Sequence, residues 1–207
     1  MKPVYIAAWV LIIGFLGWSG NLLLKIQSMG LETAVLHQLG LDLDNLAGAW
    51  RDLNRPGNDV LENYEVKEQR AALGIYKQRY DTIHNSVQQR VQGDHTLSPL
   101  IIGMEPTRNT LVDFAEQILD LSEQREALRL EHAPTVLVSE KETAAATAMA
   151  RMDQTFQDGL DVILRANTVV IEEQRDLEEL QRANFHRLYI MLLATLVVSA
   201  LSLISIR

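Results

Sequence analysis

Residues 188–206 read LYIMLLATLVVSALSLISI, a run of nineteen residues without a charged side chain. At about 1.5 Å per residue, a helix of this length measures roughly 28 Å, close to the thickness of the hydrocarbon core of a bilayer. A helix that is apolar on every face does not suit the surface of a water-soluble domain. The run is therefore predicted to be a membrane-spanning helix, and the rest of the chain must be arranged around it.

A second apolar run lies at the other end of the chain, where residues 4–24 read VYIAAWVLIIGFLGWSGNLLL. Its length also suits a membrane-spanning helix. The alternative is a cleaved signal peptide, because Lys2 supplies a positive start and small residues follow. The run is longer than the apolar core of a usual signal peptide, and its helical pattern continues into the next segment without a loop. We therefore favour a second span.

Residues 25–187, between the two runs, are enough for one domain with its own core. The chain has 19 Lys and Arg against 27 Asp and Glu, and setting aside Lys2 and Arg207 leaves 17 cations against 27 carboxylates in this segment. This acidic balance argues against nucleic acid as a partner, since phosphate binding needs a basic face. The lack of cysteine excludes disulfides, thiolate metal sites and cysteine nucleophiles.

The first helix is predicted to continue from the first span to Leu53, because apolar residues recur at three- or four-residue spacing. This seam is apolar except for Thr33 and comprises Leu22, Ile26, Met29, Thr33, Leu36, Leu39, Leu43, Leu46, Trp50 and Leu53. Residues 54–59 (NRPGND) then predict a turn, since Pro removes a backbone donor and Gly permits positive φ. Asp59 followed by Glu62 is a capping-box pattern, which predicts a second helix that runs to about Val91.

The third helix is clear from Leu111 onward and is predicted to end by Pro134. Two starts fit its upstream sequence, one at Ser98 with Pro99 as the first helical residue and one at Pro106, where the helix kinks or restarts.

Ser139 followed by Glu142 is a second capping-box pattern, which predicts a fourth helix that continues into the second span. No stretch alternates in the manner of a strand. We therefore predict an all-α fold, an antiparallel up-and-down four-helix bundle over residues 25–187. Its first and last helices continue into transmembrane helices over residues 4–24 and 188–206.

The motif Asn54-Arg55-Pro56-Gly57-Asn58-Asp59-Val60 resembles the Asn-x-Pro-Gly-Asn-Asp-Val turn of bacterial periplasmic sensor domains. Such domains precede histidine kinases, diguanylate cyclases and chemoreceptor-type signalling modules. More broadly, the chain is similar to the four-helix-bundle input domains of methyl-accepting chemotaxis proteins. The resemblance implies a homodimer that binds a small molecule or a binding protein and moves its last helix relative to its first. It departs from the full pattern by ending without a HAMP, kinase, cyclase or methyl-accepting region, so we expect a longer natural protein with cytoplasmic signalling modules.

Five polar residues near the predicted distal turns are candidates for a ligand site at the far tip of the bundle: Arg51, Arg55, Asn58, Asp59 and His132. A guanidinium together with backbone donors at a helix start would suit a carboxylate ligand. The alternative is that residues 54–59 form only a tight helix connection, for which Pro, Gly, Asn and Asp are the usual residues.

Six apolar residues are expected to pack between helices or subunits and to carry the signal: Trp50, Leu43, Leu46, Phe156, Leu160 and Ile163. The five histidines show no i, i+4 metal-binding spacing, so no metal and no cofactor are predicted. The sequence also lacks a nucleophile elbow and a phosphate-binding glycine loop, and we expect no enzymatic activity.

These features predict a sensory input domain of a bacterial signal transducer in the inner membrane, with the central domain in the periplasm and both termini in the cytoplasm. An unidentified small-molecule or protein ligand would displace the fourth helix and the second span. The alternative is a two-span scaffold or assembly protein whose bundle binds another protein. A third reading is that the domain detects the state of the envelope directly.

Overall fold

The computed structural model describes residues 3–204, and its elements in chain order are α1 (Pro3–Asn63), α2 (Val66–Arg90), α3 (Leu97–Ile102), α4 (Met104–Leu130) and α5 (Thr135–Ile204). The all-α prediction is confirmed, since residues 3–204 contain no strand. Lys2, Arg207 and the last two residues of the predicted second span lie outside the described residues.

The chain forms two compact units, one of Met1–Gln38 with Ile171–Arg207 and one of Leu39–Val170. The first unit holds both apolar runs, and α1 and α5 are each long and apolar enough to cross a membrane. Their apolar side chains are largely exposed there, as at Trp9 (62%) and Leu196 (70%). An exposed apolar surface of this extent is unfavourable in water, which agrees with the prediction of two spans.

The predicted turn at residues 54–59 is wrong, because α1 continues through it to Asn63 with Pro56 inside the helix. An interior proline costs about 3 kcal/mol, whereas full burial of a Val or Leu side chain contributes about 1.5–3 kcal/mol. Leu53 and Val60, on either side of the proline, are both fully buried. Their burial requires the helix to continue, and this packing offsets the local cost of the proline.

Gly57 in the same motif serves a close approach between helices. A Cβ at this position would lie 2.7 Å from Met152 Sδ on α5 and 3.4 Å from Ile118 Cδ1 on α4. The small residue thus lets α1 lie close to both helices, with helical backbone angles on either side of it.

The true break lies one turn later, at residues 63–65. Tyr64 has φ +61°, and Asn63 Oδ1 accepts a hydrogen bond of 3.0 Å from the Glu65 backbone N–H. The side chain of Asn63 thus stabilises a local turn that reverses the chain. The Asp59–Glu62 capping box is therefore wrong as a helix start, whereas the predicted end of the second helix near Val91 is confirmed.

The connection to the third predicted helix contains the short helix α3. Its start is stabilised by Asp94 Oδ1, which accepts hydrogen bonds of 2.8 Å from the backbone N–H groups of Thr96 and Leu97. Ser98, the predicted cap, therefore lies inside α3. Pro106 is the third residue of α4, where its missing N–H costs no intrahelical bond, so the predicted restart near Pro106 is confirmed.

The last helix starts earlier than predicted, at Thr135 and not at Ser139. Pro134 ends the preceding connection, and its carbonyl oxygen accepts a 3.0 Å hydrogen bond from the Leu137 backbone N–H. The capping-box pattern of Ser139 and Glu142 thus lies within the helix, because the first turn has already formed upstream.

The second unit is built around Trp50, which is fully buried. Its indole Nε1–H donates a 2.9 Å hydrogen bond to the Phe156 carbonyl oxygen on α5. The ring lies on Gly159, where a Cβ would overlap ring carbons Cζ2 and Cε2. Only a glycine leaves room for the ring, so α1 and α5 meet at a contact fixed in both shape and hydrogen bonding.

We predict that Gly159→Ala lowers the melting temperature of the full chain in detergent micelles, because the added methyl group overlaps a rigid, buried ring. Overpacking costs about 1–3 kcal/mol, more than the gain of about 0.5–1 kcal/mol in helix propensity. Gly57→Ala should cost less, since its Cβ would meet the flexible end of Met152.

Gly74→Ala is the matched control, because a Cβ there meets nothing within 4 Å. It should leave the melting temperature unchanged or raise it. Circular dichroism measures all three variants, and equal melting temperatures for Gly159→Ala and Gly74→Ala would contradict the contact.

Candidate functional site

The structure places four of the five predicted tip residues, Arg51, Arg55, Asn58 and Asp59, inside α1. Arg51 and Arg55 are exposed, and Arg55 Nη1 lies 3.7 Å from Asp52 Oδ1. Backbone N–H groups within a helix already donate to carbonyls one turn earlier. The free helix-start donors expected beside these side chains are therefore absent at residues 51–59.

His132, the fifth tip residue, lies in the connection between α4 and α5, where it is exposed and has φ +53°. Its backbone N–H donates a 3.2 Å hydrogen bond to the Arg129 carbonyl oxygen. Within residues 3–204, no hydrogen bond or ion pair joins its side chain to the four tip residues on α1. A ligand role for these five residues stays a prediction.

Of the six residues predicted to pack between helices, four are buried: Trp50, Leu43, Leu46 and Ile163. The other two, Phe156 and Leu160, are half-buried. Trp50 on α1 contacts α5, where Phe156, Leu160 and Ile163 lie, through the Phe156 carbonyl oxygen and the surface of Gly159. A signalling role for these residues stays a prediction.

A polar cavity of about 300 Å³ lies between α2 and α4 in the second unit. It is lined by Tyr80, Asp81, His84, Asn85, Gln88, Glu105, Arg108 and Asn109. We call it the α2–α4 cavity. Its two walls are consecutive turns of facing helices, so any change in their separation alters it directly.

Arg108 joins the two walls of the α2–α4 cavity. Its Nη2 lies 2.7 Å from both carboxylate oxygens of Asp81, and its Nη1 donates a 2.9 Å hydrogen bond to Asn109 Oδ1. The Nε–H of the same guanidinium is buried and has no hydrogen-bond partner in the structure. A charged group with an unpartnered buried donor carries a free-energy cost that a ligand acceptor would relieve.

Tyr80 contributes a second buried donor without a partner. Its side chain is 2% exposed, and its hydroxyl group makes no hydrogen bond in the structure. Burial raises the pKa of this phenol, Arg108 opposes the shift, and the carboxylates of Asp81 and Glu105 raise the pKa further. The hydroxyl therefore stays protonated and able to donate at neutral pH.

His84 is held by the carbonyl oxygen of Ile101, which lies 2.9 Å from its Nε2. Because a carbonyl can only accept, Nε2 carries the proton in this bond, and Nδ1 is an acceptor in the neutral ring. The imidazole stacks on the Tyr80 ring at 5.4 Å and 18°.

Tyr80 also contacts Trp50, with ring centroids 5.6 Å apart and an angle of 53°. Three rings, those of His84, Tyr80 and Trp50, therefore run from the α2–α4 cavity to the contact with α5. Aromatic pairs at these separations contribute about 0.5–1.5 kcal/mol each beyond their burial.

Tyr80 O–H and Arg108 Nε–H, from two residues that line the cavity, are donors without partners, and an oxygen acceptor such as a carboxylate is the group that would satisfy them. Glu105 is exposed at the rim and would accept from a donor on the same molecule. Both unpartnered atoms are shielded from solvent.

Tyr80, His84 and Arg108 were not among the ligand-binding residues predicted from the sequence. The available signal was the i, i+4 spacing of Tyr80 and His84, which places both on one face of the second helix. In residues 3–204, no group of three or more His, Asp or Glu side chains could hold a metal ion.

No protein-family model, curated protein or solved structure matches this chain. The resemblance to periplasmic sensor domains thus stays a prediction. The turn geometry that carried it is wrong, although the residues of the motif are present.

We predict that Tyr80 makes the folded chain sensitive to alkali. The unfolded tyrosine ionises near its ordinary pKa of about 10, whereas the folded one does not, so the free energy of unfolding falls as pH rises above that value. One such group contributes a slope of up to about 1.4 kcal/mol per pH unit.

Tyr80→Phe should make this slope shallower in urea unfolding of the full chain at several pH values. Identical slopes for wild type and Tyr80→Phe would show that the phenol is not held in a buried, protonated state.

Proposed function

We propose that this chain is the sensory input module of a bacterial membrane signal transducer, and that the α2–α4 cavity is its ligand site. The observation that carries the proposal is the row of rings from His84 through Tyr80 to Trp50. It leads from a cavity with unpartnered donors to the Trp50 contact on α5, a helix that also contains the second apolar run.

The proposed architecture is an antiparallel four-helix bundle of α1, α2, α4 and α5, with α3 as a short addition in the second connection. Four long helices joined by short connections support it, as do the α1 contacts with both α4 and α5 at Gly57. We further propose that α1 and α5 continue as two spans of the inner membrane, with the bundle in the periplasm and both termini in the cytoplasm.

Signalling follows from two packings of the bundle. With the cavity closed, the Tyr80 and Arg108 donors are unpartnered; a ligand that reaches them binds only the separated arrangement of α2 and α4. A ligand shifts an equilibrium by its difference in affinity for two states, and here that difference comes from these two donors. Separation moves the Tyr80 ring and with it Trp50, which displaces α5.

By the same proposal the chain acts as a homodimer in the bilayer and passes the displacement to cytoplasmic signalling modules. The acidic balance of the central segment argues against nucleic acid as the ligand, which is a small molecule or a protein. No catalytic step is required, because the output is a change in helix position.

One observation favours the alternative of a protein-binding scaffold. Leu130 and Val136, on either side of the α4–α5 connection, are 80% and 74% exposed. Exposed apolar residues close together suit a protein contact. If this patch carries the signal, Leu130→Ser and Val136→Ser alter the output of the chain while changes at Trp50 do not.

The proposal predicts the effect of Trp50→Phe in the full chain fused to a cytoplasmic output module. This change keeps an aromatic ring and removes the donor to the Phe156 carbonyl, a loss of about 1 kcal/mol. If the hydrogen bond forms in one packing only, the ratio of the two states shifts about fivefold, and basal output changes accordingly.

Trp9→Phe is the matched control, since Trp9 is exposed on the apolar part of the same helix. It should leave basal output unchanged. Wild-type output from a Trp50→Phe protein that is inserted and present at normal levels would count against transmission through this contact.

A further inference from the structure

The first unit contains an apolar groove between α1 and α5 that the proposed sensing mechanism does not use. The groove has a volume of about 410 Å³ and is lined by Trp18, Leu22, Arg187, Ile190 and Met191. It adjoins a cavity of about 240 Å³ whose lining is part polar and part apolar, formed by Trp18, Asn21, Leu22, Lys25, Asn184 and Arg187. Three residues line both spaces, so the two form one continuous site with an apolar and a polar end.

The polar end carries two cations without acidic partners. Lys25 and Arg187 are exposed, and no carboxylate in residues 3–204 forms an ion pair with either of them. Arg175 and Arg182 on the same helix differ, since they pair with Glu179 and Glu178 at 3.4 Å. The positive charge at the groove is therefore available to an external anion.

The polar end also offers amide groups. Asn184 is buried at 4% exposure and is held in place by a 3.4 Å contact from its Nδ2 to Met29 Sδ. Asn21 lies on the opposite wall. Amides next to two cations suit the phosphate and ester oxygens of a lipid headgroup.

We propose that this groove binds one anionic phospholipid, with the phosphate at Lys25 and Arg187 and an acyl chain along Trp18, Leu22, Ile190 and Met191. This inference rests only on the part of the proposed function that places α1 and α5 in a membrane, and it is independent of the α2–α4 cavity. An apolar groove that ends in unpaired cations at the edge of two spans is complementary to a phospholipid, whose acyl chain is apolar and whose phosphate is negatively charged.

A second copy of the chain fits the groove less well. In a two-fold symmetric dimer built on this groove, both chains bring the same patch to the interface, which would then contain two copies each of Lys25 and Arg187. Four cations would then lie together without a counter-charge, which is unfavourable near lipid.

The test is native mass spectrometry of the full chain released from nanodiscs made of equal parts phosphatidylglycerol and phosphatidylcholine. One phosphatidylglycerol should stay bound per chain, in preference to phosphatidylcholine. Lys25→Gln with Arg187→Gln should lower that retention roughly tenfold or more, because two phosphate contacts are lost.

Arg175→Gln with Arg182→Gln is the matched control, since it removes the same charge from the same unit away from the groove. It should keep the bound lipid. Leu22→Trp should lose the lipid by filling the apolar end while keeping both cations. Carbonate extraction first establishes that every variant is inserted in membranes, so a failure of the spanning proposal is seen separately.

Two results would overturn the inference. One is equal retention of the two lipids, or retention that none of the groove variants changes, which describes ordinary lipid solvation. The other is protection of the groove by a second chain regardless of the lipid supplied, which makes it a subunit interface. Neither result depends on signalling output, so a failure here leaves the sensing proposal untouched.

Discussion

The fit of Trp50 against Gly159 is the constraint on which the second unit depends. The ring needs a glycine beneath it and a carbonyl acceptor from Phe156 beside it, and α5 supplies both within one turn. A buried indole N–H without a hydrogen-bond partner costs free energy. Sliding α1 along α5 would break the Trp50 hydrogen bond, so the contact fixes the position of one helix along the other.

The α2–α4 cavity is connected to the Trp50 contact through the Tyr80 ring. Tyr80 lines the cavity and contacts Trp50, and its hydroxyl has no partner in the structure. A fully satisfied core would hold one packing firmly, whereas unpartnered donors make the closed packing less stable than it would otherwise be. Under the proposed function, a ligand that accepts hydrogen bonds from these unpartnered donors shifts the bundle to the second packing.

Helical periodicity predicted much of the fold. The spacing of Leu43, Leu46 and Trp50 identified the buried face of α1, because core burial follows a periodicity of 3.6 residues. Ile163 was likewise predicted to lie on the buried face of α5. The turn predicted at residues 54–59 is wrong, because proline and glycine favour a turn only locally. The burial of Leu53 and Val60 in a continuous helix contributes more free energy than the turn residues do. The cavity was not predictable, because whether Tyr80 and Arg108 find partners is decided by tertiary packing and not by residue type.

The most direct test of a displacement of α5 uses the absence of cysteine from the chain. A Cβ on Gly40 would lie 3.9 Å from Val170 Cγ1, so Gly40→Cys with Val170→Cys places two thiols close enough to join α1 to α5 by a disulfide. The output fusion also carries Asn85→Trp, a bulky change at a residue that lines the α2–α4 cavity, and the measurement is the change in output caused by Asn85→Trp before and after oxidation. We predict a clear change in the reduced protein that disappears when the disulfide forms. An equal change in both states, or none in the reduced protein, would contradict the account.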